Sequence, residues 1–468
     1  MSEHLTIHPH ILLPASEPAR GVAAELYAHV ADAPIVSPHG HVDASLLAED
    51  APFPDPAALL VTPDHYVTRL LHAHGVALDA LRPPADPRSI WRLLCKHWPL
   101  LAGTVVRLWL ELVLHDVLDV RTAPSAATAD ALFDELAQRL EQPPMRPRAL
   151  YERFGIEVLA TTDDPVDDLR GHRALAADPR FAGDVVPTFR PDALLDLASP
   201  GWPERVERLG VAASTPIAGY DDFVAALEQR RSDFAALGAT STDHGIERLA
   251  TDRLDHAAAA RIFAAALRGD CPARDAAAFA AHMLDELARM SCEDGLVMQL
   301  HPGVKRDHHG PTLRAHGANL GADIPVQAEF TSALRPLLQR YGTHPRFRLV
   351  LFTVDETTFS RELAPLAGFY PSVFLGAPWW FLDSPAGMLR FRRAVTDTIG
   401  FHRTAGFVDD ARALCSIPVR HDVARRVDCA FLAKLVCEHS LSLAEAAAVA
   451  RDLACDQARR VFRLAATA

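Results

Sequence analysis

The chain has 468 residues, of which 49% are hydrophobic and 23% are charged, and these values exclude a disordered or collagen-like protein. The 60 acidic residues outnumber the 47 Lys and Arg residues, and the resulting net charge of -13 argues against a nucleic-acid partner, whose phosphates would be repelled. No apolar run approaches the roughly 18 residues of a membrane span, so no membrane partner is expected.

The cysteines and the N-terminus together indicate a compartment. The seven cysteines form no C-x-x-C pair, and Met1-Ser2-Glu3-His4 lacks the basic segment followed by an apolar one that begins a signal peptide. An odd number of cysteines without a signal peptide is typical of reduced thiols in the cytoplasm. We therefore predict a cytoplasmic protein, and a structural zinc site built on sulfur is not supported.

Eight short apolar runs each end in polar residues and are followed by helical stretches. In chain order they are 35–36, 156–160, 184–188, 239–242, 296–300, 347–352, 373–375 and 406–408. Strands that alternate with helices predict an α/β protein with a parallel sheet, and eight units suit a closed (β/α)₈ barrel of TIM type. The alternative is an open doubly wound sheet, but the glycine-rich phosphate turn that usually follows its first strand is absent.

Residues 44–155, between the first and second predicted strands, are too many for a simple connection. Apolar positions recur at helical spacing in 56–60, 66–74, 90–97, 105–115 and 129–140, and again in 252–288. The tail from Val423 also reads as helical, and a helix start lies within it at 441–445. We predict one barrel domain over 1–468, with a helical insertion at 44–155 over one side of the barrel mouth. Helices of 423–468 are expected to pack on the barrel.

Histidine pairs of the form H-x-H point to a metal site. The chain contains three of them, His8/His10, His39/His41 and His72/His74. Side chains at i and i+2 of a strand share a face, so two imidazoles can converge on one metal ion. Taken singly, each pair is more often a surface or packed pair than a set of metal ligands, and His39/His41 is favoured because it opens the series of eight strand units.

A further metal ligand is expected from another strand, and it is often a carboxylate. Asp409 and Asp410 end the eighth predicted strand, which neighbours the first in a closed barrel. Adjacent residues of a strand point to opposite faces, so only one of the two faces the interior. The alternative role for either residue is a helix N-cap.

Other candidate residues follow the predicted strands or lie on the inserted helices. Arg190 and Arg412 are able to bind a carboxylate bidentately, although a salt bridge to a neighbouring Asp is the ordinary role of a single arginine. His301 ends the fifth strand and Arg306 follows it, but a lone histidine is more often packed than catalytic. Tyr66 lies on a helical segment, where an aromatic residue usually belongs to the core.

These residues belong to motifs that resemble those of the uronate isomerase family, in the amidohydrolase superfamily of metal-dependent barrels. Eight motifs occur in the family's order between residues 34 and 421, which is nearly the whole chain. They are the H-x-H strand 34–41, Asp64-His65-Tyr66, 161–169, Phe189-Arg190-Pro191-Asp192, Ser241-Thr242-Asp243-His244, 299–306, Trp379-Trp380-Phe381-Leu382-Asp383 and 410–421. Together they are very specific, although each one alone is weak.

Two segments depart from the family's pattern. The asparagine run that usually follows the position of Arg306 is replaced by Asp307-His308-His309, and the L-P-K segment near the sixth strand is replaced by 355–366. Both loops edge the predicted site. They therefore bear on substrate preference more than on the class of reaction.

The resemblance implies reversible isomerisation of D-glucuronate to D-fructuronate and of D-galacturonate to D-tagaturonate, a step of carbohydrate metabolism. Such an aldose–ketose isomerisation moves a proton between C2 and C1, so it needs a base, an electrophile and groups that bind the sugar's carboxylate. The expected partner is a small-molecule hexuronate, and a homo-oligomer is expected. Trp379, Trp380 and the region 415–437 are candidates for its interface, which burial in the core would explain equally well.

The resemblance also implies roles for individual residues. His39, His41 and Asp410 are expected to bind one divalent metal ion, with zinc as the expected metal. Asp410 or a metal-bound water is the candidate base, and Tyr66 and His65 would assist ring opening or proton transfer. The uronate carboxylate would pair with an arginine, and other side chains would line the sugar. These are Arg190 for the carboxylate, and Arg412, Arg306, Asp243, His301 and Trp380 for the sugar.

A metal-dependent hydrolase of the same superfamily, acting on a sugar-acid lactone or amide, is the alternative. It would share the barrel and the H-x-H, but such hydrolases often hold a second metal through a bridging lysine and a histidine on the sixth strand. Here that strand ends in Thr353-Val354-Asp355, and among the lysines only Lys305 is near a strand end, so the isomerase is favoured. A catalytically inactive relative would have lost site residues, which are all present.

Overall fold

The computed structural model of the chain describes residues 4–464. Residues 1–3, part of the segment used to argue against a signal peptide, and residues 465–468, at the end of the predicted domain, lie outside the described residues. Within residues 4–464, none of the helices combines the length and the apolar character that a membrane span requires.

Nine strands form two parallel sheets and a small antiparallel pair among the described residues. They are β1 (Ile35–Ser37), β2 (Ile156–Ala160), β3 (Asp184–Val186), β4 (Ser241–Ile246), β5 (Val297–Pro302), β6 (Val304–Lys305), β7 (Ile324–Pro325), β8 (Leu349–Leu351) and β9 (Val373–Leu375). One sheet has the order β1-β2-β3, the other has the order β4-β5-β8-β9, and β6 pairs with β7. Seven of the eight predicted strands are thus present, all of them in parallel sheets.

The two sheets are joined through Phe189, which follows β3. The Phe189 N–H donates to the carbonyl of Ser241 at 3.3 Å, and the Asp243 N–H donates to the carbonyl of Phe189 at 3.0 Å. On β4, Asp243 lies inside the strand and not after it, because β4 pairs with β5 from Ser241 through Ile246. The predicted strand 239–242 was therefore too short and began too early.

The eighth segment corrects a prediction, because 406–408 is not a regular strand. Gly406 has φ +76° and Asp410 has φ +46°, and these left-handed conformations interrupt extended pairing. The segment nevertheless fills the eighth position, since the Ala405 N–H donates to the carbonyl of Leu375 at 2.7 Å and the His41 N–H donates to the carbonyl of Ala411 at 2.8 Å. The chain therefore has the architecture of a TIM-like barrel. Isolated parallel bridges, Phe189 with Thr242 and Leu375 with Thr404, join β3 to β4 and β9 to the eighth segment.

Helices surround the strands. Those in the described part of the chain are α1 (Ala19–Ala28), α2 (Ala44–Glu49), α3 (Pro56–Leu60), α4 (His65–Ala73), α5 (Pro87–His97), α6 (Val105–Leu112), α7 (Ala129–Leu140), α8 (Pro147–Arg153), α9 (Arg170–Ala177), α10 (Asp192–Leu195), α11 (Trp202–Ala212), α12 (Tyr220–Ala236), α13 (His256–Leu267), α14 (Ala273–Asp294), α15 (Gly310–His316), α16 (Arg335–Tyr341), α17 (Ala364–Phe369), α18 (Pro385–Ile399), α19 (Ser416–Cys437), α20 (Leu443–Arg451) and α21 (Gln457–Phe462). Short 3₁₀ or π turns occupy Leu78–Leu81, Trp98–Leu101, Val113–Val117, Pro143–Met145, Phe359–Leu363, Trp380–Leu382 and Asp452–Asp456.

Seven of these helices, α2 to α8, lie between β1 and β2, where the sequence predicts a helical insertion. The predicted helices 56–60 and 129–140 agree with α3 and α7 to the residue, and 105–115 is α6 extended by a π turn. The stretch 252–288 is two helices, because Gly269 has φ +74° and Pro272 lacks an N–H to continue the first one. The division of 1–468 into a barrel, an insertion and a C-terminal part stays a prediction.

The C-terminal helices α19 to α21 pack on the barrel and on the inserted helices. The predicted helix start at 441–445 is confirmed, since Ser442 and Glu445 form a reciprocal capping box at the start of α20. Helix α19 begins at Ser416, earlier than predicted, and its apolar face joins a core shared with β1, β2 and the inserted helices. A second core packs α11 to α14 and α16 to α18 against β4, β5, β8 and β9.

Candidate active site

Two imidazoles and one carboxylate meet at the ends of β1 and the eighth segment. His41 Nε2 lies 2.9 Å and His39 Nε2 lies 3.5 Å from Asp410 Oδ1. The Asp410 N–H donates to the carbonyl of His39 at 3.2 Å, so parallel pairing brings the two chain segments into register here. Asp409 faces the other way, where its Oδ2 lies 3.1 Å from His421 Nε2. Of the two acidic candidates, Asp410 is therefore the one that meets the histidines.

The electrostatics of this group suit a metal ion. Burial lowers the pKa of His41 to about 4, which leaves its imidazole neutral and its ring nitrogen able to donate an electron pair. Burial alone would raise the pKa of Asp410, but His41 and His39 hold that pKa well below its ordinary range. The potential ligand atoms of the three residues all lie within 4.8 Å of one another. Two imidazoles and a carboxylate fit a divalent ion such as zinc.

A second acidic group lies beside the first. His301 Nδ1 lies 2.6 Å from Asp243 Oδ1, and the His301 ring stacks on that of His39 with centroids 4.8 Å apart. Within the described residues, His301 Nε2 is buried and has no hydrogen-bond partner. Burial opposes ionisation of Asp243, but Arg190 and His301 hold its pKa well below its ordinary range. The pair adds a negative charge and an unused imidazole nitrogen to the floor of the site.

Arg190 is held between two carboxylates. Its Nε donates to Asp192 Oδ2 at 2.7 Å, and its Nη1 lies 3.0 Å from Asp243 Oδ2. Gly245 on β4 is required for this arrangement, because a Cβ there would lie only 2.4 Å from Arg190 Nη2. The ordinary role of an arginine, a salt bridge to a neighbouring Asp, is therefore present here. Binding of a substrate carboxylate by Arg190 stays a prediction.

The inserted helices supply an aromatic wall. Asp64 caps α4 by accepting the Tyr66 N–H at 2.8 Å, which fixes the first turn of the helix toward the barrel. His65 stacks on Tyr66 with centroids 4.8 Å apart and meets the Trp380 ring edge-on at 5.5 Å. Burial lowers the pKa of His65 to about 3, so this imidazole is neutral near pH 7. Burial also raises the pKa of Tyr66.

Two arginines of the site differ from Arg190 in having no ion-pair partner among the described residues. The Arg306 guanidinium stacks over the Trp380 ring, 4.5 Å from its centroid. Arg412 lines a small cavity together with Tyr66 and Arg420. Among residues 4–464, no acidic side chain forms an ion pair with Arg306 or Arg412. These cations are therefore available to an anionic ligand, whereas Arg190 already has acidic partners.

All eleven predicted site residues thus lie in one cluster at the carboxyl ends of the strands. The other H-x-H pairs do not: no group of potential metal ligands among the described residues includes His8, His10, His72 or His74. The structure also brings in side chains to which the sequence analysis gave no role in the site. These are Asp192, Phe352, Trp379, Asp383 and Arg420, and all of them except Phe352 lie in motifs that the sequence analysis had noted.

The sequence analysis did not predict that Trp379 and Phe352 contact the residues of the site. The Trp379 indole N–H donates to Asp410 Oδ2 at 2.8 Å, and Phe352 stacks on His301 with centroids 4.0 Å apart. Both side chains are buried within this chain, and Trp380 is buried as well. Burial in the core therefore accounts for the two tryptophans without an interface. Only the W-W-F-x-D motif signalled that Trp379 belongs to the site.

Comparisons with known proteins agree over the whole chain. A family profile described as glucuronate isomerase matches residues 18–462. The uronate isomerase of Rhizorhabdus wittichii is 51% identical over 464 residues, covering 98% of this chain and 99% of that protein. The crystal structure of glucuronate isomerase from Caulobacter crescentus has a TM-score of 0.97 at 44% identity and covers 99% of this chain and 98% of that one. The crystal structure of uronate isomerase from Thermotoga maritima has a TM-score of 0.93 at 28% identity, and it covers 98% of this chain and 100% of that one.

Proposed function

This chain belongs to the uronate isomerase family and is an aldose–ketose isomerase, and we propose that the cluster around His39, His41 and Asp410 is its active site. The substrates are the hexuronates D-glucuronate and D-galacturonate, and the products are D-fructuronate and D-tagaturonate. The observation that carries the assignment is the convergence of two imidazoles and a carboxylate, near two arginines that form no ion pair within residues 4–464. The hydrolase alternative is not favoured, because the matched relatives are isomerases over their full length.

His39, His41 and Asp410 would hold one divalent metal ion, and zinc is the ion we propose because it accepts this mixed donor set. When bound, such an ion supplies Lewis acidity that stabilises negative charge developing on a substrate oxygen. The neighbouring imidazole of His301 presents a nitrogen without a partner among the described residues, which would hydrogen-bond a sugar oxygen.

Asp410 is the proposed base for the transfer of a proton between C2 and C1. Its Oδ1 faces His41, and its Oδ2 accepts the Trp379 indole N–H, so the carboxylate is held in one orientation. A fixed carboxylate loses little entropy when it accepts a proton from the substrate, which favours transfer. Tyr66 and the neutral His65 lie at the start of α4 in the aromatic wall of the site, where they would assist ring opening or proton transfer.

The sugar's carboxylate is proposed to bind among the arginines of the site. Arg190 is the predicted partner, and its Nη2 remains outside the contacts with Asp192 and Asp243. The charge of Arg190 is offset by its acidic neighbours Asp192 and Asp243, so Arg412 and Arg306 would supply the positive charge that the substrate needs. An anionic substrate approaches a chain of net charge -13, so its attraction to the mouth must be local to these side chains.

The proposal is tested by NMR on the purified, zinc-supplemented protein in deuterated water, with each uronate supplied separately. Appearance of the ketose, D-fructuronate or D-tagaturonate, with deuterium at C1 is the expected result. Turnover without deuterium would contradict transfer through a base that exchanges with solvent. No turnover of either sugar by folded, metal-loaded protein would overturn the function, and lactones would then be screened. Light scattering tests the homo-oligomer, which stays a prediction, as does the cytoplasmic location.

A further inference from the structure

Arg420, near the start of α19, connects the Asp383 carboxylate with the backbone carbonyl of Asp410. Its Nη2 donates to Asp383 Oδ2 at 2.6 Å, and its Nη1 donates to the backbone carbonyl of Asp410 at 3.1 Å. Arg420 and Asp383 are each only 3% exposed. A buried hydrogen bond from a charged guanidinium is among the stronger ones in proteins, so this contact constrains the chain at Asp410.

The backbone that Arg420 contacts is in an unfavourable conformation. Asp410 has φ +46°, a left-handed conformation that residues other than glycine adopt rarely and that persists only when neighbouring contacts impose it. On its N–H side, Asp410 donates to the carbonyl of His39 at 3.2 Å. On its carbonyl side, the contact is Arg420. This conformation determines where the Asp410 side chain points.

The same guanidinium also contacts the inserted helices. It lies 4.2 Å from the ring centroid of Trp109 on α6 and 5.7 Å from that of Tyr66 on α4. Stacking of a guanidinium on an aromatic ring is favourable and sets the orientation of both groups. Arg420 thus lies between the barrel segment that carries Asp410 and the insertion that carries Tyr66.

Arg420 is also the counter-ion of a buried carboxylate, and this purely structural role is distinct from holding Asp410 and Tyr66 in place. Asp383 is buried, and its Oδ1 has no hydrogen-bond partner among the described residues. Loss of Arg420 would leave that carboxylate without a cation, and a buried charge that loses its partner destabilises the fold. Neutralisation of Asp383 alone would therefore be a sufficient structural reason for a buried arginine at this position.

We propose that Arg420 is a positioning residue for the isomerisation, which holds the Asp410 turn and the Tyr66 ring in their working geometry through the contacts above. The inference rests on the proposed function of Asp410 and Tyr66. It predicts that the loss of Arg420 impairs turnover and metal binding even when Asp383 no longer needs a cation.

The test compares Arg420→Gln, Asp383→Asn and the double variant. For Arg420→Gln we expect kcat to fall about 100-fold with KM changed less than about 3-fold, because misplaced groups chiefly impair the transition state. Apparent zinc affinity, measured by competition with a chelator, should fall about 10-fold, as is usual when a residue that orients a ligand is lost. The melting temperature should fall as well, because Asp383 is left unpaired.

The double variant separates the two roles. Asn at 383 carries no charge, so the melting temperature should recover, whereas kcat and zinc affinity should stay near the values of Arg420→Gln. Arg420→Lys should recover part of kcat, since one ammonium can donate to the Asp410 carbonyl or to Asp383. Arg425→Gln is the matched control: Arg425 is a buried arginine of the same helix that donates to the carbonyls of Ala31 and Ala33. It should lose stability and keep kcat.

Recovery of kcat and zinc affinity in the double variant to within about 3-fold of the wild type would overturn the inference. Arg420 would then act only by neutralising Asp383. If Arg420→Gln does not fold, the double variant is compared with Asp383→Asn, and equal zinc affinity and kcat would overturn the inference in the same way. If the wild type isomerises neither uronate, the proposed function fails on its own, and the zinc affinity of the double variant decides the positioning role.

Discussion

Arg190 and Asp243 form an ion pair in the interior of the barrel, with Nη1 of the arginine 3.0 Å from Oδ2 of a carboxylate that is fully buried. Asp243 in turn contacts His301, whose ring stacks on His39. The position of the predicted carboxylate-binding arginine is therefore coupled to the histidines of the metal group. A change at Arg190 should alter both substrate binding and the orientation of His301.

Arg190→Ala removes the predicted partner of the uronate carboxylate and leaves Asp243 without its cation. We expect kcat/KM to fall by about 10³-fold or more, because an interaction with the substrate's charge and the order of the site are lost together. Steady-state kinetics with each uronate measures this, and circular dichroism checks the fold. Arg180→Ala is the control, since Arg180 is exposed and pairs with Asp178 at the surface. Unchanged turnover would show that another group binds the carboxylate.

Gly245→Ala should reduce activity without removing any functional group. The added Cβ would lie 2.4 Å from Arg190 Nη2, so the guanidinium must move away from Asp243. We expect kcat/KM to fall about 10-fold or more, as is typical when a substrate-positioning group shifts by about 1 Å, with little change in melting temperature. Gly219→Ala is a matched control, because a Cβ at Gly219 meets nothing within 4 Å. Equal activities of the two variants would contradict the packing argument.

Asp410→Asn tests the double role of that carboxylate. The amide keeps the shape of the side chain but removes the charge, so both metal affinity and proton transfer should suffer. We expect zinc content after dialysis to fall well below one ion per chain and kcat to fall by about 10³-fold. Metal analysis and the kinetic assay measure the two effects separately. A variant with full zinc content and full activity would exclude Asp410 from both roles.

Asp163→Asn addresses the dependence of stability on pH. Burial raises the pKa of the Asp163 carboxyl to about 7. Its folded-state pKa therefore exceeds the unfolded value near 4, so its contribution to stability is fully present below about pH 4 and is lost as the pH rises through 7. Asn does not ionise. We measure the difference in melting temperature, variant minus wild type, at each pH. We expect this difference to be about 2–4 °C larger at pH 8 than at pH 5. An equal difference at both pH values would contradict this assignment.

The sequence by itself determined the elements whose signal is local. Hydrophobic spacing identified β2, β9, α3 and α7 to the residue, and the capping residues Ser442 and Glu445 marked the start of α20. The alternation of eight apolar runs with helical stretches led to the barrel, and the H-x-H at the end of the first run led to the metal group. These features follow from the period of a helix or a strand, which is written in neighbouring residues.

Only the tertiary structure decided which side chains face one another. Asp410 and not Asp409 meets His41, because a left-handed residue at the end of the eighth segment turns that carboxylate inward. Arg190 is paired with Asp243, and Arg420 supports Asp410, through contacts that join separate units of the barrel. The direction of a side chain depends on backbone angles and on neighbours that parallel pairing brings from distant parts of the chain. Local periodicity does not contain that information.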